Sequence, residues 1–306
     1  MTLPLLFEQL LNGLQLGTML FLMASGLTLV FGVMGLINLA HGSFYMVGAF
    51  VTAWTAGTTG SFWVGLGAGI LAAAAVGAVV ELLVIRRLYH RQHLDQVLAT
   101  FALILIFSEG TRWLFGSSPL WLNVPEALSG AVALPGGSRY PVFRLVIIAV
   151  GVLVAVALFL LISRTRLGMR IRAGESDREM IGALGIDIAK LYTLVFALGA
   201  ALAGLAGSMI GALQSVQVGM GEPVLILAFV VIVIGGIGSI KGALIGSILV
   251  GLVDTLGRVF LPSLFKLFMA PADASGVGAA LASMLIYVLM AIILAFKPKG
   301  LFAAND

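Results

Sequence analysis

The chain has no cysteine and little charge. Without cysteine there is no disulfide frame, no thiolate nucleophile and no Cys-ligated metal. Only 10% of the 306 residues are Asp, Glu, Lys or Arg, against roughly 25% in an ordinary soluble domain. So small a polar supply cannot cover the surface of a water-soluble globule of this length. A soluble enzyme, an extracellular binding module and a disordered tail are excluded. Proline is scarce, at 9 residues. Lys and Arg are missing altogether from residues 1–85. A cleavable signal opens with a basic stretch, so the first apolar run is expected to be a retained membrane helix.

What is present is apolar. Hydrophobic residues make up 61% of the sequence, and its mean hydropathy is +1.16. The 39 glycines suit close helix packing in lipid. The apolar runs are continuous, without the alternation of an outer-membrane barrel. Helices are then required, because a helix satisfies its own backbone donors and acceptors in lipid. Candidate spans cover 12–33, 42–56, 62–85, 97–115, 142–162, 191–214, 224–236, 243–261 and 278–296. A crossing needs about 20 residues, so 42–56 and 224–236 are read as short, broken or re-entrant. The expected fold is all-α: one polytopic transmembrane helical bundle over residues 1–306, with about 8–10 membrane segments.

Charge placement gives an orientation. If all nine segments cross, twelve of the 17 Lys and Arg share one side. They cluster at Arg86, Arg87 and Arg91, along 163–190, at Lys241, and at Lys297 and Lys299. The positive-inside rule then predicts a cytoplasmic C-terminus. Two connections stand out. Residues 116–141 are rich in Pro, Gly and Ser and fall on the opposite side. Residues 163–190 form the largest cytoplasmic segment and the most polar part of the chain.

The 163–190 segment carries its own helix signal. Ser176 and Glu179 have the spacing of a capping box, with Ser176 at the N-cap. Asp177 stands in the first turn, facing the positive end of the helix dipole. Gly185 suits the left-handed position that ends a helix. The reading is a short helix, about Asp177–Leu184, with Met180, Ile181 and Leu184 on one face. So short a helix cannot hold itself in water. Its apolar face is expected to dock, either on the chain's own membrane part or on a partner.

Several chemistries are missing. The run Gly235–Gly242 contains Lys241, but Gly follows where a phosphate-binding loop needs Ser or Thr. No H-E-x-x-H occurs, and His41, His90 and His93 have no metal-ligand clustering. No cofactor or metal is expected in this chain, and no nucleic-acid binding. Glu81 near Arg86 and Arg87, Glu109 with Arg112, and Asp254 with Arg258 are read as local or interfacial pairs. No isolated pair of mid-membrane carboxylates suggests a proton relay.

One polar run interrupts the apolar sequence near its start. Residues 35–44 place Asn38, His41 and Ser43 beside Gly35 and Gly42. At membrane depth such a break is tolerated where it is packed in protein or lines a cavity. It reads equally as part of a substrate pathway or gate and as an interfacial turn. Gly235, Gly236 and Gly238 interrupt the second half comparably. The two runs are weakly similar, which raises an internal repeat.

At these residues the chain resembles the LivH-type permease of the branched-chain amino acid ABC importer family. The stretches that carry the resemblance are 26–50 (GLTLVFGVMGLINLAHGSFYMVGAF), 163–187, 196–213, 235–252 (GGIGSIKGALIGSILVGL) and PKGLF at 298–302. Lys241 stands where the family commonly has Pro, and residues 92–141 match poorly.

The resemblance implies a permease subunit of the bacterial inner membrane that hydrolyses nothing itself. It implies a second, LivM-like permease, two cytoplasmic ATPase subunits that use ATP and Mg, and a periplasmic solute-binding protein. The Ser176–Gly185 segment would be the coupling helix, and alternating access would move Leu, Ile, Val or a related small amino acid inward. Asn38, His41 and Ser43, with Gly35, Gly42, Gly235, Gly236 and Gly238, would line or gate the pathway. The alternatives are a stand-alone channel or facilitator for a small polar solute such as urea or an amide, and a membrane-embedded enzyme. No nucleophile–base or metal set supports the last.

Overall fold

The computed structural model describes residues 3–89, 91–134 and 137–302. Of the residues singled out above, His90 and the side chain of Glu179 lie outside the described set.

Eleven helices run in chain order among the described residues. They are α1 (Leu3–Met34), α2 (His41–Thr59), α3 (Phe62–Leu83), α4 (His93–Phe115), α5 (Val142–Arg164), α6 (Arg166–Ser176), α7 (Arg178–Ala183), α8 (Ile188–Ile210), α9 (Gly221–Gly235), α10 (Ile240–Phe265) and α11 (Pro271–Phe296). Each of the nine apolar segments coincides with one helix; α6 and α7 divide the polar 163–190 segment. Seven helices (α1, α3, α4, α5, α8, α10 and α11) are long and apolar enough to cross a membrane. The protein is a polytopic helical membrane protein. α2 has 19 residues and α9 has 15. At 1.5 Å per residue α9 extends about 22 Å, short of a hydrocarbon core of about 30 Å.

Short polar side chains start several helices by accepting an early backbone N–H. Thr165 opens α6, Asp187 opens α8 and Ser239 opens α10, at 3.1, 3.1 and 3.0 Å. The 116–141 connection contains structure that composition did not reveal. β1 (Ala131–Ala133) pairs antiparallel with β2 (Arg139–Pro141). Strands of three residues are too short to show a period in sequence.

The chain divides into two compact units. One comprises Leu22–Pro125 and Leu153–Leu227. Within it α2, α3 and α8 pack on one another, and α4 lies against α2. Small residues set these distances. Thr52 Oγ1 donates to Ser208 Oγ at 2.7 Å, and Ser208 Oγ donates to the Gly204 carbonyl at 2.7 Å. α1 meets α8 at Gly26 and Gly199. A Cβ on Gly26 would stand 2.6 Å from the Gly199 oxygen and 3.0 Å from His41 Nε2. Backbone cannot yield as a flexible side chain can, so Gly26→Val is expected to destabilise this unit by about 3 kcal/mol. Thermal unfolding in detergent checks it; an unchanged midpoint would mean the two helices do not meet there.

The other unit comprises Met1–Phe21, Glu126–Val152 and Ala228–Asp306. Here α10 packs along α11, and the first half of α1 lies on α10. A Cβ on Gly17 would be 2.9 Å from Ile248 Cα, and one on Gly13 would be 3.0 Å from Leu252 Cα. Arg144 Nη1 and Tyr140 OH both donate to Asn12 Oδ1, at 2.6 and 3.1 Å.

Candidate functional site

α1 ends where Gly35 turns left-handed, at φ 63°, and its N–H returns to the Phe31 carbonyl at 2.7 Å. Residues 35–40 are irregular, and α2 begins at His41. Asn38 Oδ1 accepts the Ala40 N–H at 3.0 Å, which fixes the turn into α2. Asn38 and His41 are wholly buried, and Ser43 is nearly so. Gly42 lies on the start of α9, where a Cβ would come within 2.7 Å of the Gly221 oxygen. Among the described residues no group meets Asn38 Nδ2, Thr28 Oγ1 or the His41 ring nitrogens at good hydrogen-bond geometry, although the Met23 backbone lies within electrostatic reach of the ring. The His41 ring meets Phe44 edge-on at 6.0 Å. A buried polar group left unpaired costs about 1–3 kcal/mol. Water, a solute or another arrangement of the helices would satisfy these atoms.

The second interruption differs. Gly236 and Gly238 are left-handed, at φ 104° and 84°. Gly235 packs against Gly242. The 298–302 segment closes the break: Leu301 N–H donates to the Ile234 carbonyl and Phe302 N–H to that of Gly235, both at 2.9 Å. Phe302 also occupies the space a Cβ on Gly236 would need. The space beside Gly235 and Gly236 is therefore filled by the chain's own backbone.

In the polar segment α6 buries Gly168, Ile171 and Gly174, and Arg172 donates to the Ile162 carbonyl that ends a turn of α5. The N-cap of α7 is Asp177, not Ser176. Ser176 is the last residue of α6 and so is helical, whereas Asp177 is extended (φ −153°, ψ 104°) and its Oδ1 accepts the Met180 N–H at 3.0 Å. At the other end Gly185 is left-handed, at φ 82°. Its N–H returns to Gly182 at 3.0 Å and that of Ile186 to Ile181 at 3.3 Å. These two bonds make a Schellman closure.

Met180, Ile181 and Leu184 do not share one free face. Ile181 is 4% exposed, whereas Met180 is 57% and Leu184 73% exposed. A six-residue helix cannot persist in water alone, so Ile181 turns inward as its anchor. Asp187, which opens α8, has its carboxyl held below the ordinary carboxylate range by the backbone N–H and then the ammonium of Lys190.

One cluster escaped sequence reasoning. Glu81 pairs with Arg86 as its spacing predicts, but it is fully buried and has further partners. Arg86 grips it through Nε and Nη2, at 3.3 and 3.1 Å. Tyr89 OH and Thr193 Oγ1 also donate to it, at 2.7 and 2.6 Å. Burial, then the bond to Glu81, pushes the Tyr89 phenol up and keeps it a donor. Thr193 is 112 residues from Glu81, beyond any local signal. The other two expected pairs form as spaced: Glu109 with Arg112 at 2.5 Å and Asp254 with Arg258 at 2.9 Å.

Comparison with known proteins is decisive. The profile of the family described as "Branched-chain amino acid transport system / permease component" matches residues 9–294. The chain belongs to that family. It is 30% identical over 313 residues to the high-affinity branched-chain amino acid transport system permease protein BraD of Pseudomonas aeruginosa, covering 98% of this chain and 96% of BraD. It is 29% identical to the LivH permease protein of Escherichia coli K12, covering 85% and 88%. To the probable LivH of Methanocaldococcus jannaschii it is 28% identical, covering 81% and 79%. No solved structure matches the chain significantly. Within this permease family the polar break and the capped α7 rod are the two features of this chain that most need a functional account.

Proposed function

We propose that the chain is the membrane-spanning subunit of an ABC importer in the bacterial inner membrane, moving branched-chain or related small amino acids inward. The energy comes from two cytoplasmic ATPase subunits, which use ATP and Mg. A second, LivM-like permease completes the pathway, and a periplasmic solute-binding protein delivers substrate. The Lys and Arg distribution supports a cytoplasmic C-terminus, with 163–190 on the ATPase side.

The observation that carries this reading is α7. A rod fixed at both ends, with Ile181 inward and Met180 and Leu184 outward, suits a groove on a moving partner. A self-sufficient channel has no use for it. ATP binding would close the ATPase pair, carry α7 with it and change which side of the pathway is open. Asn38 and His41 suit a gate in that cycle. Their unpaired polar atoms give this arrangement a cost that a second arrangement, or passing solute and water, would remove. Ser43 stands beside them, and Gly35 and Gly42 supply the turn and the close approach.

Reconstitution tests the proposal. Proteoliposomes holding both permeases and both ATPase subunits, with the binding protein outside, should take up leucine only when ATP is supplied on the ATPase side. Uptake of leucine, urea or an amide by this chain alone would instead make it a channel.

A further inference from the structure

The Glu81 cluster joins three parts of the fold that the proposed transport cycle must move together. Glu81 ends α3. Arg86 lies on the short helical turn that follows, and Tyr89 two residues past it. Thr193 lies in the second turn of α8, six residues after the N-cap Asp187. Arg86 Nη2 adds bonds to Thr193 Oγ1 at 2.8 Å and to the Ala189 carbonyl at 3.5 Å. The start of α8 is thus fastened to the end of α3 close to where α7 hands over to it.

The other side of the cluster faces the polar break. Tyr89 meets Tyr192 edge-on, with ring centres 5.0 Å apart. Its hydroxyl also touches Met34 Sδ at 3.9 Å. Met34 is the last residue of α1, and Gly35, the left-handed start of the break, follows it. A continuous path of packed and hydrogen-bonded groups leads from α7 through the first turns of α8 to Glu81, Tyr89 and Met34. It ends at Met34, where the break that carries Asn38 and His41 begins.

Stability alone does not call for such a network. Apolar residues of similar size in a buried site commonly serve as well as an ion pair or better. What a fully satisfied ionic cluster adds is a fixed geometry. We propose that Glu81, with Arg86, Tyr89 and Thr193, is the positioning cluster that converts displacement of α7 into rearrangement of the 35–40 break. The proposal rests on the importer reading above. Glu81 touches no substrate; it acts through α8 and Tyr89.

The test uses the complete reconstituted complex, with leucine uptake and ATP hydrolysis measured in the same vesicles. Glu81→Gln keeps the side-chain shape and removes the charge. It should assemble and hydrolyse ATP at close to the normal rate, while leucine moved per ATP falls roughly tenfold, within the usual range of coupling between sites. Tyr89→Phe and Thr193→Val each delete one bond and should give intermediate losses; Glu81→Asp should recover part of the ratio. A normal ratio in Glu81→Gln overturns the proposal. So does failure of Glu81→Gln to assemble while Tyr89→Phe and Thr193→Val keep the normal ratio, since the cluster would then only hold the fold. Leucine uptake by the unaltered complex without ATP would fail the importer reading instead, a result separate from both.

Discussion

Replacing Met180 and Leu184 together with Asp is expected to abolish co-purification of the ATPase subunits while the chain still inserts into the membrane. Fully burying a side chain of this size contributes about 1.5–3 kcal/mol. Losing two of them removes roughly 4 kcal/mol, near a thousandfold in affinity. Two carboxylates forced into an apolar groove add a desolvation cost. The fold should survive, because Met180 and Leu184 are exposed and the anchor Ile181 is kept. Affinity purification of the complex from membranes, with chain abundance as the control, checks the outcome. ATPase subunits recovered in normal yield would remove α7 from the docking surface.

His41→Leu should separate stability from transport. If the ring served only the fold, replacing its buried, poorly paired nitrogens by hydrocarbon would raise stability by about 1 kcal/mol with no loss of activity. The gate reading expects the same rise in unfolding temperature with uptake falling roughly tenfold or more, since activity often depends on a destabilised site. Asn38→Ala should lose transport as well, but without the gain in stability, because its Oδ1 bond to Ala40 also goes. Uptake and thermal unfolding measured on the same preparations decide. Normal uptake in both variants would reduce residues 35–44 to an interfacial turn.

The helices were legible because membrane insertion writes them as long apolar runs. All nine segments coincide with helices; α9 is short as expected, whereas α2 extends beyond the expected 42–56 to 19 residues. Gly185 was legible too, since few residues other than glycine end a helix left-handed. Ser176 and Asp177 are both good caps and adjacent, so the sequence could not say which would serve; α6 decided it by running through Ser176. The inward turn of Ile181 depends on what lies beneath α7. The Glu81 cluster depends on a threonine on another helix. Neither leaves a local pattern. In the second break the glycines look alike in sequence, yet Gly242 fills the space beside Gly235 and the 298–302 backbone that beside Gly236.

That backbone makes residues 298–302 a cork rather than a tail. Leu301 and Phe302 cap the carbonyls of Ile234 and Gly235. A fusion handle therefore belongs beyond Phe302, behind a spacer. Proteolytic trimming back to Gly300 would uncap α9 and open its joint with α10.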